Sequence, residues 1–257
     1  MANILDIRDR VIVVMGSTSG IGRALAVGLA AQNAIVIPTG RRQPELAALC
    51  AELDAGGSRM LCHTSDVRER NSIDSLRDAV FKKFGRIDVL INAAGVTFKQ
   101  PTAAVAEKDW NALMDTDLTG VLRACQSFYQ PLKESGRGRI INIASLGSFL
   151  AFYQVAAYAA AKTAVLSLTR SLACEWAMDG IAVNAIVPGV FPTDLNRHLI
   201  TGTPRGNEML MRTPMGRFGK PEELVGVAVL LASDGASFLT GQAVAVDGGY
   251  LASGVNQ

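Results

Sequence analysis

A chain of 257 residues is long enough to bury roughly three quarters of its unfolded surface around one core. It is 49% hydrophobic and 19% charged, yet no uninterrupted apolar run approaches the roughly 20 residues that span a bilayer, so no membrane partner is expected. A net charge of +2 without a dense Lys/Arg block argues against nucleic acid as a partner, and two histidines, His63 and His198, make a histidine-rich metal site improbable. The N-terminal MANILDIRDR carries charge of both signs and no apolar signal core, so a cytoplasmic location is expected. Cys50, Cys62, Cys125 and Cys174 lie far apart with no C-x-x-C pair and are read as reduced, buried thiols.

Short apolar, β-branched runs occur at Val11–Met15, Ile35–Thr39, Arg59–His63, Val89–Ala93, Arg139–Ile143, Ala182–Val187 and Ala243–Val246. Helical patterns lie between them at Ile21–Gln32, Pro44–Ala55, Arg68–Lys83, Trp110–Ser135, Ala156–Met178 and Pro221–Ala232. Continuous apolar strands separated by helix-length segments predict an α/β fold: a single doubly wound parallel sheet of seven strands with helices on both faces. No linker divides residues 1–257, so one domain is expected. The one long irregular stretch, Phe191–Lys220, is rich in Pro, Gly and Thr and reads as a substrate lid.

After the first run the chain reads Gly16-Ser17-Thr18-Ser19-Gly20-Ile21-Gly22 and turns into a helix. Glycine there allows close backbone approach, and the helix N-terminus offers free N–H groups and a positive dipole to a pyrophosphate. The spacing differs from G-x-G-x-x-G, and by itself it also suits ordinary tight-turn glycines. In dinucleotide sites an acid about 20 residues further on holds the ribose, whereas an Arg accommodates a 2′-phosphate. Here Arg41 and Arg42 follow the second run and no carboxylate precedes Glu45, which favours NADP(H) and leaves NAD(H) as the other cofactor. A solvated surface pair is the alternative reading of the two arginines.

Tyr158 and Lys162 are four residues apart in AAYAAAKTAV and share one face of a predicted helix. A phenol is a poor base at neutral pH, but an ammonium about 4 Å away at an effective dielectric of about 20 contributes about 4 kcal/mol toward its ionised form. Ser145 closes the fifth run, 13 residues before Tyr158, where its hydroxyl could bond a substrate oxygen. Such a Tyr/Lys pair is by itself a common surface feature. Glycine turn, strand-end serine and Tyr/Lys helix in one chain, in a workable order, are not.

From about Val11 to Gly249 the chain therefore resembles the short-chain dehydrogenase/reductase family. The resemblance implies a Rossmann fold and hydride transfer between a nicotinamide and a small carbonyl or alcohol. Tyr158 would be the acid/base; Lys162 would ease its ionisation and bind the nicotinamide ribose; Ser145 would orient the substrate. It further implies cofactor contacts from Asp66 and Val67 beside adenine, and from Asn92, Ala93, Ala94 and Gly95 after the fourth run. Where Ala93 stands the family more often has a second Asn. Pro188, Gly189, Val190 and Thr193 resemble the segment that meets the nicotinamide carboxamide and phosphates. A homotetramer packed on the Trp110–Ser135 and Ala156–Met178 helices is implied too. Ala157, Ala160, Ala161 and Ala164 would allow close helix approach, or face the chain's own sheet.

One departure concerns MDTDLTG, where Asp117 stands in place of the Asn that helps hold the relay water. If the backbone carbonyl holds that water, the substitution is tolerated and Asp117→Asn keeps or raises turnover; if the side chain matters, an extra carboxylate perturbs Lys162. The segments PGVFPTDLN, RTPMGRFGKPEEL and VDGGYLASG are similar to sugar-acid dehydrogenases of the gluconate 5-dehydrogenase type. A keto-sugar acid or polyol is the substrate this implies, with at least one of Arg197, His198, Arg205 and Arg212 meeting its carboxylate. The same wording recurs in 3-oxoacyl-carrier-protein reductases. From another class, Asp117 leaves room for a nucleotide-binding regulator without useful chemistry. A methyltransferase is disfavoured, having no need of the Tyr/Lys pair.

Overall fold

The computed structural model describes residues 3–53, 60–194 and 196–254. Strands β1 (Val11–Met15), β2 (Ile35–Thr39), β3 (Val89–Asn92), β4 (Arg139–Ile143), β5 (Ala182–Pro188) and β6 (Ala243–Val246) form one parallel sheet in the order β2-β1-β3-β4-β5-β6. Successive side chains of a strand point to opposite faces, and β1 feeds two cores accordingly. Val11, Val13 and Met15 pack with Phe128 and Val165, whereas Ile12 and Val14 pack with Leu25 and Leu231. With both faces covered, β1 has no exposed position, which is why it reads as an unbroken apolar run.

The crossover helices are α1 (Gly20–Ala30), α2 (Gln43–Leu53), α3 (Arg70–Phe84), α4 (Glu107–Met114), α5 (Gly120–Glu134), α6 (Ala156–Trp176), α7 (Arg197–Ile200), α8 (Pro204–Met211) and α9 (Val225–Ala232). Among the described residues no helix is long and apolar enough to cross a membrane.

Four expectations need correction. The sheet has six strands among the described residues, not seven: Met60–His63 run beside β2 without joining a ladder, and Arg59 lies outside the described residues. Backbone donors alternate along a strand, and Ile35 and Thr39 donate on the β1 side, so Pro38, which has no N–H, falls on the outer edge. The segment is held instead by the Thr39 hydroxyl, which donates to the His63 carbonyl at 2.7 Å. Second, the Trp110–Ser135 helix is α4 and α5 joined through a wide π-helical turn at Asp115–Thr119. Third, Phe191–Lys220 is not irregular throughout, since α7 and α8 lie in it. Thr203 accepts the Gly206 N–H at 3.0 Å and Pro204 opens α8, a start signal already present in the Thr-Pro dipeptide. Finally, Cys50 and Cys62 are joined as a disulfide, Cα atoms 6.0 Å apart, while Cys174 is free but exposed; only Cys125 is a free, buried thiol. Cys50 ends on α2 and Cys62 lies beside β2, so packing unites residues that sequence spacing separates.

Candidate active site

The chain passes from β1 outward to β2, then returns to β3 on the other side of β1. Such a reversal opens a crevice beyond the carboxyl ends of the two strands. The glycine turn sits there. Gly16 takes φ +80°, and a side chain on it would lie 2.5 Å from the Ala94 Cα; one on Gly22 would lie 2.2 Å from the Gly16 carbonyl oxygen. Only glycine fits either place. Gly20 faces the Thr193 methyl, so the Pro188–Thr193 segment reaches the same turn. Ser19 precedes α1 without a side-chain cap, leaving the first-turn N–H groups of Gly20, Ile21 and Gly22 open to an anion.

The side chains around the turn divide the work. Ser17 is fully buried, accepting the Thr39 N–H at 2.8 Å and donating to the Thr39 carbonyl at 3.2 Å, which ties β1 to β2. Arg42 donates to the Thr18 hydroxyl at 2.9 Å and the Ser19 hydroxyl at 2.8 Å, so its guanidinium lies over the turn. Glu45, the first acid after β2, pairs with Arg42 at 3.5 Å. Arg41 is exposed. Asp66 is gripped by the Arg68 fork at 2.6 and 3.0 Å, which holds its carboxyl below the usual carboxylate range against the opposing effect of burial. Val67 is buried against Gly120. The Asn92 amide turns into the sheet, donating to Asn142 at 2.9 Å, and Asn142 donates to Thr169 at 2.9 Å. Gly189 abuts Asp247, Val190 accepts the Gly219 N–H at 2.9 Å, and Thr193 accepts Asn196 and Arg197 backbone donors. A pyrophosphate fits this cradle, with its open N–H groups and absent side chains, and Arg42 beside it suits a further phosphate.

The second cluster lies where α6, β4 and the π-helical turn meet. Lys162 is buried; its Nζ stands 5.7 Å from the centre of the Tyr158 ring, donates to the Ile143 carbonyl at 3.2 Å and lies 3.3 Å from the Asp117 Oδ2. Asp117 has no exposed surface, and its Oδ1 accepts the Val96 N–H at 2.8 Å. Burial raises the Asp117 carboxyl, outweighing the Lys162 charge. Burial works to lower Lys162, but the Asp117 and Tyr158 charges prevail and raise it. Ser145 lies two residues past the end of β4, where its Oγ accepts the Gly147 N–H at 3.1 Å and remains half-buried, as does Tyr158. Gly147 passes next to Ala159 on α6, which brings the Ser145 loop against the helix that carries Tyr158.

The Val96 N–H and the Ile143 carbonyl escaped the sequence reading because backbone groups carry no residue signature. Among the charges of residues 191–220, Arg197 and His198 are exposed, Arg212 pairs with Glu208 at 3.1 Å, and Arg205, half-buried, donates to the Tyr153 carbonyl at 3.1 Å. Ala157 and Ala161 are buried within this chain, and Ala160 and Ala164 are half-exposed.

The family model described as Enoyl-(Acyl carrier protein) reductase matches residues 16–251. The chain is 36% identical to a gluconate 5-dehydrogenase of Gluconobacter oxydans over 241 residues, 94% of each chain. It is 35% identical to a 3-oxoacyl-acyl-carrier-protein reductase of Synechocystis sp. over 244 residues, 94% of this chain and 97% of that one. In three dimensions it is similar to a gluconate 5-dehydrogenase from Burkholderia cenocepacia in complex with NADP and tartrate, with a TM-score of 0.93, 36% identity, and 98% and 100% of the two chains covered.

Proposed function

The chain belongs to the short-chain dehydrogenase/reductase family, and on that premise we propose that it interconverts a keto-sugar acid or polyol ketone with its secondary alcohol, using NADP(H). The observation that carries this reading is the buried Lys162 ammonium beside the Tyr158 ring, with Ser145 on the adjoining loop. When bound, the nicotinamide supplies or accepts the hydride. The protein's own part is protonic. Tyr158 gives a proton to the carbonyl oxygen, or takes one from the alcohol. Lys162 stabilises the phenolate by its charge. The Ser145 hydroxyl, whose oxygen is fixed by the Gly147 N–H, donates to the substrate oxygen. Gly16, Ser19, Gly20, Ile21 and Gly22 would hold the pyrophosphate, and Thr18 and Ser19 steer Arg42 toward the 2′-phosphate. Arg42 also neutralises Glu45, the nearest acid that could hold the free ribose of NAD(H), and this supports NADP(H) as the better cofactor.

Residues 191–220, with α7 and α8, act as a lid over the substrate in this reading. A homotetramer packed on α5 and α6 belongs to it, supported by the small Ala160 and Ala164 left half-exposed on α6. A cytoplasmic location goes with the nicotinamide chemistry, and there a reducing milieu would open the Cys50–Cys62 bond.

Nicotinamide absorbance followed over a panel of ketones and polyols, with both cofactors, tests the assignment. A keto-aldonate or polyol turned over with NADPH at least tenfold better than with NADH is the expected result. Turnover confined to 3-oxoacyl thioesters would make the protein an acyl-carrier reductase. NADPH binding without hydride transfer to any carbonyl would make it a nucleotide-binding regulator.

A further inference from the structure

The lysine beside Tyr158 is not a free cation in this protein. Its ammonium is enclosed, and the groups that face it come from three directions. The π-helical turn contributes Asp117, α6 contributes Tyr158, and β4 contributes the uncharged Ile143 carbonyl. The loop after β3 passes so close that a side chain on Gly95 would lie 3.0 Å from the Asp117 Oδ2 and 3.4 Å from the Lys162 Nζ.

A carboxylate answers two donors in this corner, where an amide answers one. Two donors converge on Asp117, the Val96 N–H on Oδ1 and the Lys162 ammonium beside Oδ2. A carboxylate presents an acceptor to each. An amide has one acceptor; with its oxygen on Val96 it would aim its NH2 at the ammonium, donor against donor. Oδ2 makes no aligned hydrogen bond of its own, so the Lys162 charge is what compensates it. The wide turn that presents Asp117, a rare backbone form that interrupts α4 and α5, places the carboxylate there.

Resting on the Tyr158/Lys162 chemistry above, we propose that Asp117 is a positioning residue, the counter-ion of Lys162, and that its charge sets the pH at which alcohol oxidation begins. The sign follows from electrostatics. The Lys162 cation favours the phenolate that accepts the alcohol proton, and a carboxylate behind that cation offsets part of its field. With the carboxylate present, the rising limb of kcat/KM for oxidation stands at higher pH than the ammonium alone would give. Removing the negative charge moves that limb to lower pH.

The test is the pH profile of kcat/KM for alcohol oxidation with NADP+, between pH 5 and 10, in the full-length protein and in Asp117→Asn. The limb of the variant is expected about one pH unit lower, while NADPH affinity, read by its fluorescence, stays within about threefold. Asp117→Ser keeps a small acceptor for the Val96 N–H without the charge and carries the same expectation, whereas Asp117→Glu should restore the original limb. Superimposed limbs for the parent, Asn and Ser forms would overturn the proposal. Failure of both neutral variants to fold would overturn it too, by making Asp117 a structural support alone. Tyr158→Phe separates the two levels: if it stays active, the reaction proposed above fails, and if it is inactive while the limbs coincide, only the role of Asp117 fails.

Discussion

The crevice at the strand ends and residues 191–220, proposed above as a lid, are built differently. In the crevice the central groups are held by backbone and buried partners: the glycine turn is hemmed by Ala94, Lys162 is buried between the Ile143 carbonyl and Asp117, and Ser17 is locked to Thr39. Residues 191–220 bury Phe191 and Ile200, but much of the segment is tied at the surface by exposed ion pairs, such as Arg212 to Glu208 and Arg217 to Glu223, and it exposes Met211 and Met215. A substitution at Gly16, Gly22 or Lys162 meets backbone or a buried charge, where nothing can yield. At the exposed positions of residues 191–220 it meets water. In the proposed reading the contrast would put precise chemistry on the rigid side and adaptable substrate contact on the other.

Substitutions graded by size can break or sharpen this contrast. Tyr158→Phe removes the proton donor without changing the packing of the ring, so kcat should fall about a thousandfold with an unchanged melting temperature. Gly22→Ala forces a methyl to within 2.2 Å of the Gly16 carbonyl; a strain of about 1–3 kcal/mol should weaken NADPH binding about tenfold or more and lower the melting temperature, both measurable by titration and calorimetry. Arg42→Ala, on the rim of the crevice, should raise KM for NADPH about tenfold and leave KM for NADH where it was; equal effects on the two would remove Arg42 from phosphate recognition.

The smallest effect belongs to the ion pair that ties residues 191–220 to the turn after them. The Arg217 fork, aided by the Lys220 backbone N–H, draws the Glu223 carboxyl down to about 2. Its folded value lies below its ordinary one, so its contribution is present above the ordinary carboxylate range and is lost as the pH falls toward about 2. Because the pair is open to solvent, Glu223→Gln should cost only about 1–2 °C at neutral pH. That difference should vanish in acid, as melting curves at pH 7 and pH 2 would show. A loss as large as that of Gly22→Ala would mean the lid is as firmly built as the crevice.

Much of the crevice was legible from local pattern. A glycine's freedom, a helix's 3.6-residue period and a strand's two-residue alternation are properties of neighbouring residues, so the glycine turn, the shared face of Tyr158 and Lys162, and five of the crossover helices could be placed to within a few residues. The lid helices were harder, because Pro, Gly and Thr mark turns and helix starts alike, and only the Thr203 cap distinguishes the two.

The amino-acid sequence by itself determined the α/β alternation, the parallel sheet and the candidate chemical groups, since these depend on periodicity and on residue type. Tertiary structure alone decided which edge of β2 lacks a donor at Pro38, that Cys50 meets Cys62, and that Asp117 faces Lys162 across the end of β4. Each of these depends on how separate segments pack, which is set only when the sheet and helices close on one another.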